Sequence, residues 1–574
     1  MSCVRNRHLI LASILLCWLI YLPGLYGTFY FDDEPNILNN SALAITEINF
    51  SSLSQVYNSG SAGLLKRPIP MLSFGLQHLV HGFDPFYFKM GNLLIHCLVG
   101  IGIFNLVRIL VVSPVLRTQK NLKHLPLLTM AIWLFHPINL TTVLYVVQRM
   151  AGLSALFCVL GMYGYSVGRL RMETQFIHGA VIILSSLLLF IPVAVLSKEN
   201  GALLPSYCVL IEVFFYRSKT DKKHQKYFLY SVFALFFILP LSLLISYLIL
   251  HPEWIINGYN NRDFTLMQRL YTESRVVWFY LAMIILPINS LLGLFHDDFV
   301  LSTSLFYPIT TFLGVVGLCF LVFIAIYQYR KYPVVCFGFL FFLVGHSIES
   351  SIIALELVHE HRNYLPDVGV CFAIAYLLIR IAQRIKLKSL SYTVLCVPLL
   401  YYSSNTFSRA TTWGNQNVHG IVELKNHPDS PRNNYHMARI YANLAHESEG
   451  LERDEYIERA EHYFIKSAVL HPNYNDGLFG LIVMNSIEGR KENKKYLDEL
   501  MHRLEKKPFN ANNYNYLLAL LRCINEKVCV VSVERIQQII EACKRNKYFR
   551  GKHKEGVMTV YRKLLFDLKT DVAS

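Results

Sequence analysis

Charge is what this sequence has least of, acidic charge above all. Of 574 residues only 16% are Asp, Glu, Lys or Arg, and 39 acidic residues face 54 basic ones. A soluble chain of this length carries more charge, which excludes an ordinary soluble enzyme. There is also no Gly-rich phosphate loop, no Cys/His set at zinc spacing and no nucleophile elbow, so the nucleotide-loop, zinc-site and serine-hydrolase classes have no sequence support.

What is present is apolar sequence. The chain is 53% hydrophobic, its mean hydropathy is +0.36, and apolar runs long enough to cross a bilayer recur. It reads as a polytopic membrane protein. The net charge of +15 sits largely in short loops at 117–123, 217–226, 330–331 and 380–388. That is the pattern of cytoplasmic loops, so the basicity implies no nucleic-acid partner. Most of the twelve cysteines lie in apolar segments as small buried residues. Cys523 and Cys529 sit close together in the polar C-terminal part and form a candidate disulfide if that part lies outside the cytoplasm, leaving Cys543 over.

The first apolar segment, 9–27, follows Arg5 and Arg7, which places the N-terminus inside. It lacks an A-x-A cleavage site and reads as a span rather than a signal peptide. Phe31-Asp32-Asp33-Glu34-Pro35-Asn36 follows at the far boundary, turned by Pro35 and Asn36. Carboxylates at that depth are costly, although a solvated loop that stops the first helix is the plainer reading. Residues 37–85 are too polar to span and fit interfacial helices. Further spans are expected at 88–112 and 125–135, then ending at 168–171, 197–201 and 217–226, and at 227–250. The short apolar piece 276–288 is expected to return to its own side, because crossing would put Arg330, Lys331, Lys386 and Lys388 outside. Spans at 307–326, 334–350, 368–385 and 390–402 complete a total of about eleven.

The predicted fold is therefore mainly α. A polytopic helical membrane domain, 1–403, with one re-entrant or interfacial helix, precedes a small α-helical domain, 404–574, on the non-cytoplasmic side. In that second part Asn434, Met437, Ala438, Tyr441, Ala460, Phe464 and Pro472 follow the paired-helix pattern of tetratricopeptide (TPR) repeats, and Pro472 to Pro508 spans close to one more period.

This topology gathers several polar clusters on one face. Asp32 and Asp33 are candidates to deprotonate a hydroxyl or to hold a divalent cation, Mg or Mn rather than Zn given all-oxygen ligands. Glu34, His296, Asp297, Asp298, Glu360 and His361 are candidates to complete a metal site or to meet an acceptor. Arg149, Lys198 and Arg362 are cations on the non-cytoplasmic face, against the charge rule. A phosphate carried by a lipid supplies a reason for them, and pairing of Lys198 with Glu199 and of Arg362 with Glu360 supplies a plainer one. Arg67 is open to the same phosphate or to headgroup snorkelling. Glu349 and Glu356 are candidates for sugar hydroxyls. His78, His96 and His136 read as packed, hydrogen-bonded residues.

FDDEPNI (31–37), KRPIPMLSF (66–74), HPINLTTVLYVVQRMAGLSALF (136–157), LSKENGALLP (196–205), GLFHDDF (293–299) and EHRNYLP (360–366), followed by a helical repeat region, resemble a known family in kind and in order. The chain is similar to GT-C-type membrane glycosyltransferases, in particular the transmembrane-and-tetratricopeptide-repeat O-mannosyltransferases and their bacterial relatives. The resemblance implies an inverting transfer of sugar from a polyprenyl-phosphate carrier to an acceptor hydroxyl, on protein in the first instance. It also implies a catalytic role for Asp32 or Asp33 and phosphate binding by Arg149, Lys198 and Arg362. The repeat tail is shorter and more degenerate than the family's usual array. A lipid-linked glycan ligase or polymerase, and a noncatalytic TPR scaffold for envelope or pilus assembly, are the alternatives. The expected location is a bacterial inner membrane with a periplasmic C-terminal domain, or the ER membrane with a luminal one in a eukaryote.

Overall fold

The computed structural model describes residues 2–573 except 219, 221 and 491–493. Lys219 and Asp221 of the basic run therefore lie outside the described residues, which form helices joined by loops, with no strand. Among the described residues three hydrophobic clusters form: one from residues between Cys17 and Trp413, a smaller one from residues between Ile138 and Val370, and one from residues between Ala438 and Leu564.

Among the described residues six helices are long and apolar enough to cross a membrane: Arg7–Leu25, Pro85–Val111, Val146–Thr174, Phe176–Ser197, Lys223–Leu250 and Thr310–Gln328. The pair Leu125–Leu134 and Pro137–Leu144, bent by 51°, is a broken span, which makes a seventh crossing, or a re-entrant loop. This is fewer than the expected eleven, and the reasons are local. Pro205 opens a helix of 8 residues, Leu204–Ile211, that runs into a π-turn. Pro333–His346 has 14 residues and Asp367–Ala382 has 16, short of the ~20 that a bilayer requires. These pieces pack inside the bundle. Lys388–Trp413 is one continuous helix across the expected domain boundary.

Close helix packing is set by small residues. A Cβ on Gly179 would lie 2.4 Å from the Met172 nitrogen, so the helices Arg149–Thr174 and Phe176–Ser197 could not approach as they do with any larger residue there. Buried polar groups are tied to backbone, as a low-dielectric interior requires. His96 bonds the Tyr364 hydroxyl and the Leu134 carbonyl, and His136 bonds the Ile284 carbonyl at 2.8 Å.

The loops segregate. At one end the basic segments meet: Val115 donates to the Phe215 carbonyl, Arg217 to that of Arg330 and Gln383 to that of Asn121. The acidic stretch, the 198–200 turn, the 349–362 segment and the second helical unit gather at the other. The helix Leu266–Ile285 opens on a capping box made by Thr265 and Gln268. The segments flanking it both touch this second end, through Arg262 to the Ala354 carbonyl and Gly293 to Glu360. Within the helix Arg269 donates to the Ser351 and Glu349 carbonyls and the Tyr280 hydroxyl accepts from the His359 N–H, so it packs along the 349–359 segment.

Candidate active site

The acidic stretch begins with strain. Phe31 has φ 39°, a left-handed conformation costly for a bulky residue. The turn sends the next two carboxylates in different directions. Asp33 is fully buried and accepts from the backbone N–H groups of Val147 at 2.6 Å, Tyr30 at 3.0 Å and Val146 at 3.3 Å. It thus fastens the end of the first span to the 146–148 turn. Burial pushes it up to about 7 against those N–H groups and the Lys89 ammonium.

Asp32 is only half-buried. Its N–H donates to the Tyr145 hydroxyl at 2.9 Å. Burial and then the Glu356 carboxylate push it up to about 6, against the Tyr145 hydroxyl, Arg432 and Arg67. A carboxylate in this range is ionised at neutral pH yet basic enough to take a proton. Glu34 points away, half-exposed and 3.7 Å from Arg439.

The three expected phosphate-binding cations have different surroundings. Arg149 has every N–H engaged: Nε to Asn92 at 2.7 Å, Nη1 to the Ser73 carbonyl and hydroxyl, and Nη2 to Gln77 and the Phe88 carbonyl. Its guanidinium also lies 4.4 Å from the Phe74 ring centroid. This is an internal hub with no N–H left for a phosphate, which corrects the sequence expectation. Lys198 pairs with Glu349 at 2.8 Å rather than with its neighbour Glu199, which is taken by Arg67 at 2.8 Å. Lys66 and Arg67 are consecutive left-handed residues, φ 59° and 47°, and that turn places Arg67 there.

Arg362 does not pair with Glu360. It donates from Nη1 to the Leu357 carbonyl at 2.9 Å and has no carboxylate within ion-pair distance among the described residues. His361, between these cations, is held well below the imidazole range by burial and then by Lys198, His359, Arg362 and Arg67. Arg67 acts on both Asp32 and His361, so Asp32 adjoins the electropositive cluster of Arg67, Lys198, His361 and Arg362, called the recess below.

The remaining candidates do something else. Glu360 accepts from the Gly293 N–H at 2.6 Å and from Arg409 at 2.9 Å, with His296 at 3.9 Å. Asp297 accepts from the Ser430 hydroxyl and from the Arg432 N–H at 3.2 Å, while Asp298 bonds His427 at 2.9 Å. Glu423 accepts from the Leu294 N–H at 2.9 Å. His296-Asp297-Asp298 is thus a clasp on the second helical unit rather than an open ligand set.

Glu356 is bidentate with Arg432, at 2.9 and 2.5 Å, and bonds His359 at 2.6 Å. Among the described residues no three His, Cys, Asp or Glu side chains converge as a metal site. With Asp33, Asp297 and Asp298 already engaged, the donor set does not fit the expected Mg or Mn. Cys523 and Cys529 form a disulfide, and Cys543 is buried and free.

Sequence reasoning missed Arg432, Tyr145 and Arg409. Arg432 lies 76 residues from its partner Glu356, in the polar tail, and nothing local distinguishes it from a surface arginine.

A multi-pass helical membrane protein with an acid and several cations in one recess is the class defined by fold and site. No family model matches the chain, and no solved structure matches it. Among curated proteins it is similar to the protein O-mannosyl-transferase TMTC3 of Mus musculus, 23% identical over 521 residues, which are 82% of this chain and 51% of the relative. The Homo sapiens TMTC3 is 23% identical over 522 residues, 82% of this chain and 52% of the relative. The Homo sapiens protein O-mannosyl-transferase TMTC1 is 27% identical over 215 residues, 36% of this chain and 23% of the relative. The resemblance in the sequence motifs thus extends over most of this chain, which spans about half the length of the TMTC3 relatives.

Proposed function

We propose that this protein is a membrane glycosyltransferase of the GT-C type that moves a sugar, mannose in the first instance, from a polyprenyl-phosphate carrier to a hydroxyl on a protein acceptor. The observation that carries the reading is the recess itself. A half-buried carboxylate pushed up to about 6 adjoins Arg67, with Lys198 and Arg362 beside it; among the described residues Arg67 and Lys198 each form an ion pair, whereas Arg362 donates to a backbone carbonyl and feels Glu349, Glu273 and Glu356 without an ion pair to any of them.

Asp32 takes the proton of the acceptor hydroxyl, and the oxygen attacks the anomeric carbon. The bond to the carrier phosphate breaks with its electron pair, and Arg362, Lys198 and Arg67 stabilise the charge that develops on the phosphate oxygens. Attack from the face opposite the leaving phosphate inverts the anomeric centre. Asp33 holds the turn on which Asp32 stands. The recess lies on the non-cytoplasmic side, because the basic loops occupy the other end and the tail carries a disulfide. In a bacterium that side is the periplasm, and in a eukaryote the ER lumen. The second unit, with its TPR-like paired helices, serves acceptor binding.

The test is the fate of label from radioactive polyprenyl-phosphate mannose added to membranes containing the protein. Label in protein is the expected result. Label in lipid or glycan would instead indicate a ligase or polymerase. No transfer from any polyprenyl-phosphate sugar would leave the scaffold reading.

A further inference from the structure

The second helical unit reaches the acidic stretch with one side chain in particular. Arg432 lies in the first turn of the helix Pro431–Glu447 and is bidentate with Glu356, at 2.9 and 2.5 Å. Glu356 is held in turn by His359 at 2.6 Å. The guanidinium so fixed lies 5.1 Å from the Phe31 ring centroid and 5.6 Å from that of Phe295. Those two rings meet edge to face at 5.1 Å. An arginine in this position is attracted by the ring electrons while its planar fork keeps both bonds to the carboxylate.

Phe31 is the residue whose left-handed backbone, φ 39°, turns the chain into Asp32. Such a conformation persists only where surrounding contacts over-determine it. After the turn the backbone is tied by the Asp32 N–H to Tyr145 and by Asp33 to three N–H groups. At the turn itself the Phe31 ring is held by Arg432 and Phe295. The charges around Asp32 involve the same residue. Asp32 is faced by Glu356, Tyr145, Arg432 and Arg67, of which Glu356 raises its pKa and the other three lower it. Glu356 is faced by Arg432, His359 and Arg262, and Arg432 by Glu356, Tyr474 and Asp297. Arg432 thus meets Asp32 in two ways, directly as a cation and through the carboxylate that it pairs.

We infer that Arg432 is a positioning residue for Asp32, supplied by the second helical unit: its guanidinium clamps the Phe31 ring, and with it the strained turn that carries Asp32, while its pairing with Glu356 balances the charge that Asp32 faces. The inference rests on the sugar-transfer reading for its consequence in rate and not for the clamp. It divides the work between the two parts of the chain. The membrane domain carries the base, and the tail carries the group that holds it in place.

The experiment compares the full-length protein in detergent with Arg432→Met, Arg432→Lys and Glu356→Gln, by hydrogen exchange and by the pH profile of kcat/KM for sugar transfer. Exchange over 30–36 is expected to quicken about tenfold in Arg432→Met, the scale of one lost cation–π contact. The helix Gln416–Asn426 is expected to keep its rate, because the residue 432 N–H still bonds Asp297 and His427 still bonds Asp298. A base works deprotonated, so a raised pKa moves the acid limb of the profile toward alkaline pH. That limb is expected to rise by about one pH unit in Arg432→Met and to fall by about as much in Glu356→Gln. Arg432→Lys keeps the charge without the planar fork, so it is expected to quicken exchange over 30–36 with the limb near its wild-type place. Loss of folded protein would scale the rate at every pH and leave the limb where it was. If Arg432→Met undocks the helical unit, the other two variants carry the same test. Wild-type exchange over 30–36 in the Arg432 variants would overturn the inference, as would limbs that stay or move together. Quickened exchange in a protein that transfers no sugar would uphold the clamp and sink the transferase reading.

Discussion

Asp32 and Asp33 are neighbours of identical chemistry, and only their surroundings divide the labour between them. Asp33 spends its oxygens on three backbone N–H groups, whereas Asp32 faces the cations of the recess. Its pKa, raised to about 6, has a direct kinetic consequence. The base works only when deprotonated, so transfer should rise about tenfold per pH unit below 6 and level off above it, as a pH profile of kcat/KM would reveal. Arg149 and Arg362 divide in the same way. Arg149→Ala should strand Asn92, Gln77 and two carbonyls and cost about 4 kcal/mol or more, seen as a lowered Tm in detergent. Arg362→Ala removes one hydrogen bond and the charge that Glu349, Glu273 and Glu356 face, so it should lower Tm less than Arg149→Ala and lose about a hundredfold in transfer rate.

At the scale of elements, the 293–298 segment fixes the second helical unit over the recess. Burial alone would lower the His427 pKa, but the bond to Asp298 and then the Asp298 and Glu423 charges lift it above the ordinary imidazole value. A raised folded-state pKa contributes stability that is full in acid and lost as pH rises through that value. Hydrogen exchange of the Gln416–Asn426 helix, taken relative to the intrinsic amide rate at each pH, should therefore quicken as pH rises above the ordinary imidazole range. In Asp298→Asn it should be uniformly faster, with that pH dependence removed. Unchanged exchange in the variant would mean that other contacts hold the unit.

The same segment marks where sequence reading stopped. The cluster of His296, Asp297 and Asp298 was visible, and so was its face of the membrane. Its partners Ser430, Arg432 and His427 were not, because contacts more than 100 residues apart leave no local trace. Long apolar periodicity and the segregation of basic loops were legible because both are imposed along the chain by the bilayer. The span count was not, since short bundle helices such as Pro333–His346 and Leu204–Ile211 are as apolar as true crossings.

At the scale of the whole molecule, three hydrophobic clusters form among the described residues, and the acidic stretch, Lys198–Glu349 and Arg432–Glu356 gather at one end of the membrane domain beside the second helical unit. The separation of basic loops from the carboxylate-bearing end gives the molecule its electrostatic axis. The central claim is that Asp32 reacts while Asp33 supports. Mannosyl transfer from polyprenyl-phosphate mannose, measured beside membrane level and Tm for Asp32→Asn and Asp33→Asn, tests it most directly. Asp32→Asn should keep wild-type level and Tm and lose at least about a hundredfold in transfer. Asp33→Asn should lose about 1–3 kcal/mol of stability, with transfer falling in step with folded protein. Full transfer by Asp32→Asn, or a stable Asp33→Asn that transfers nothing, would contradict the account.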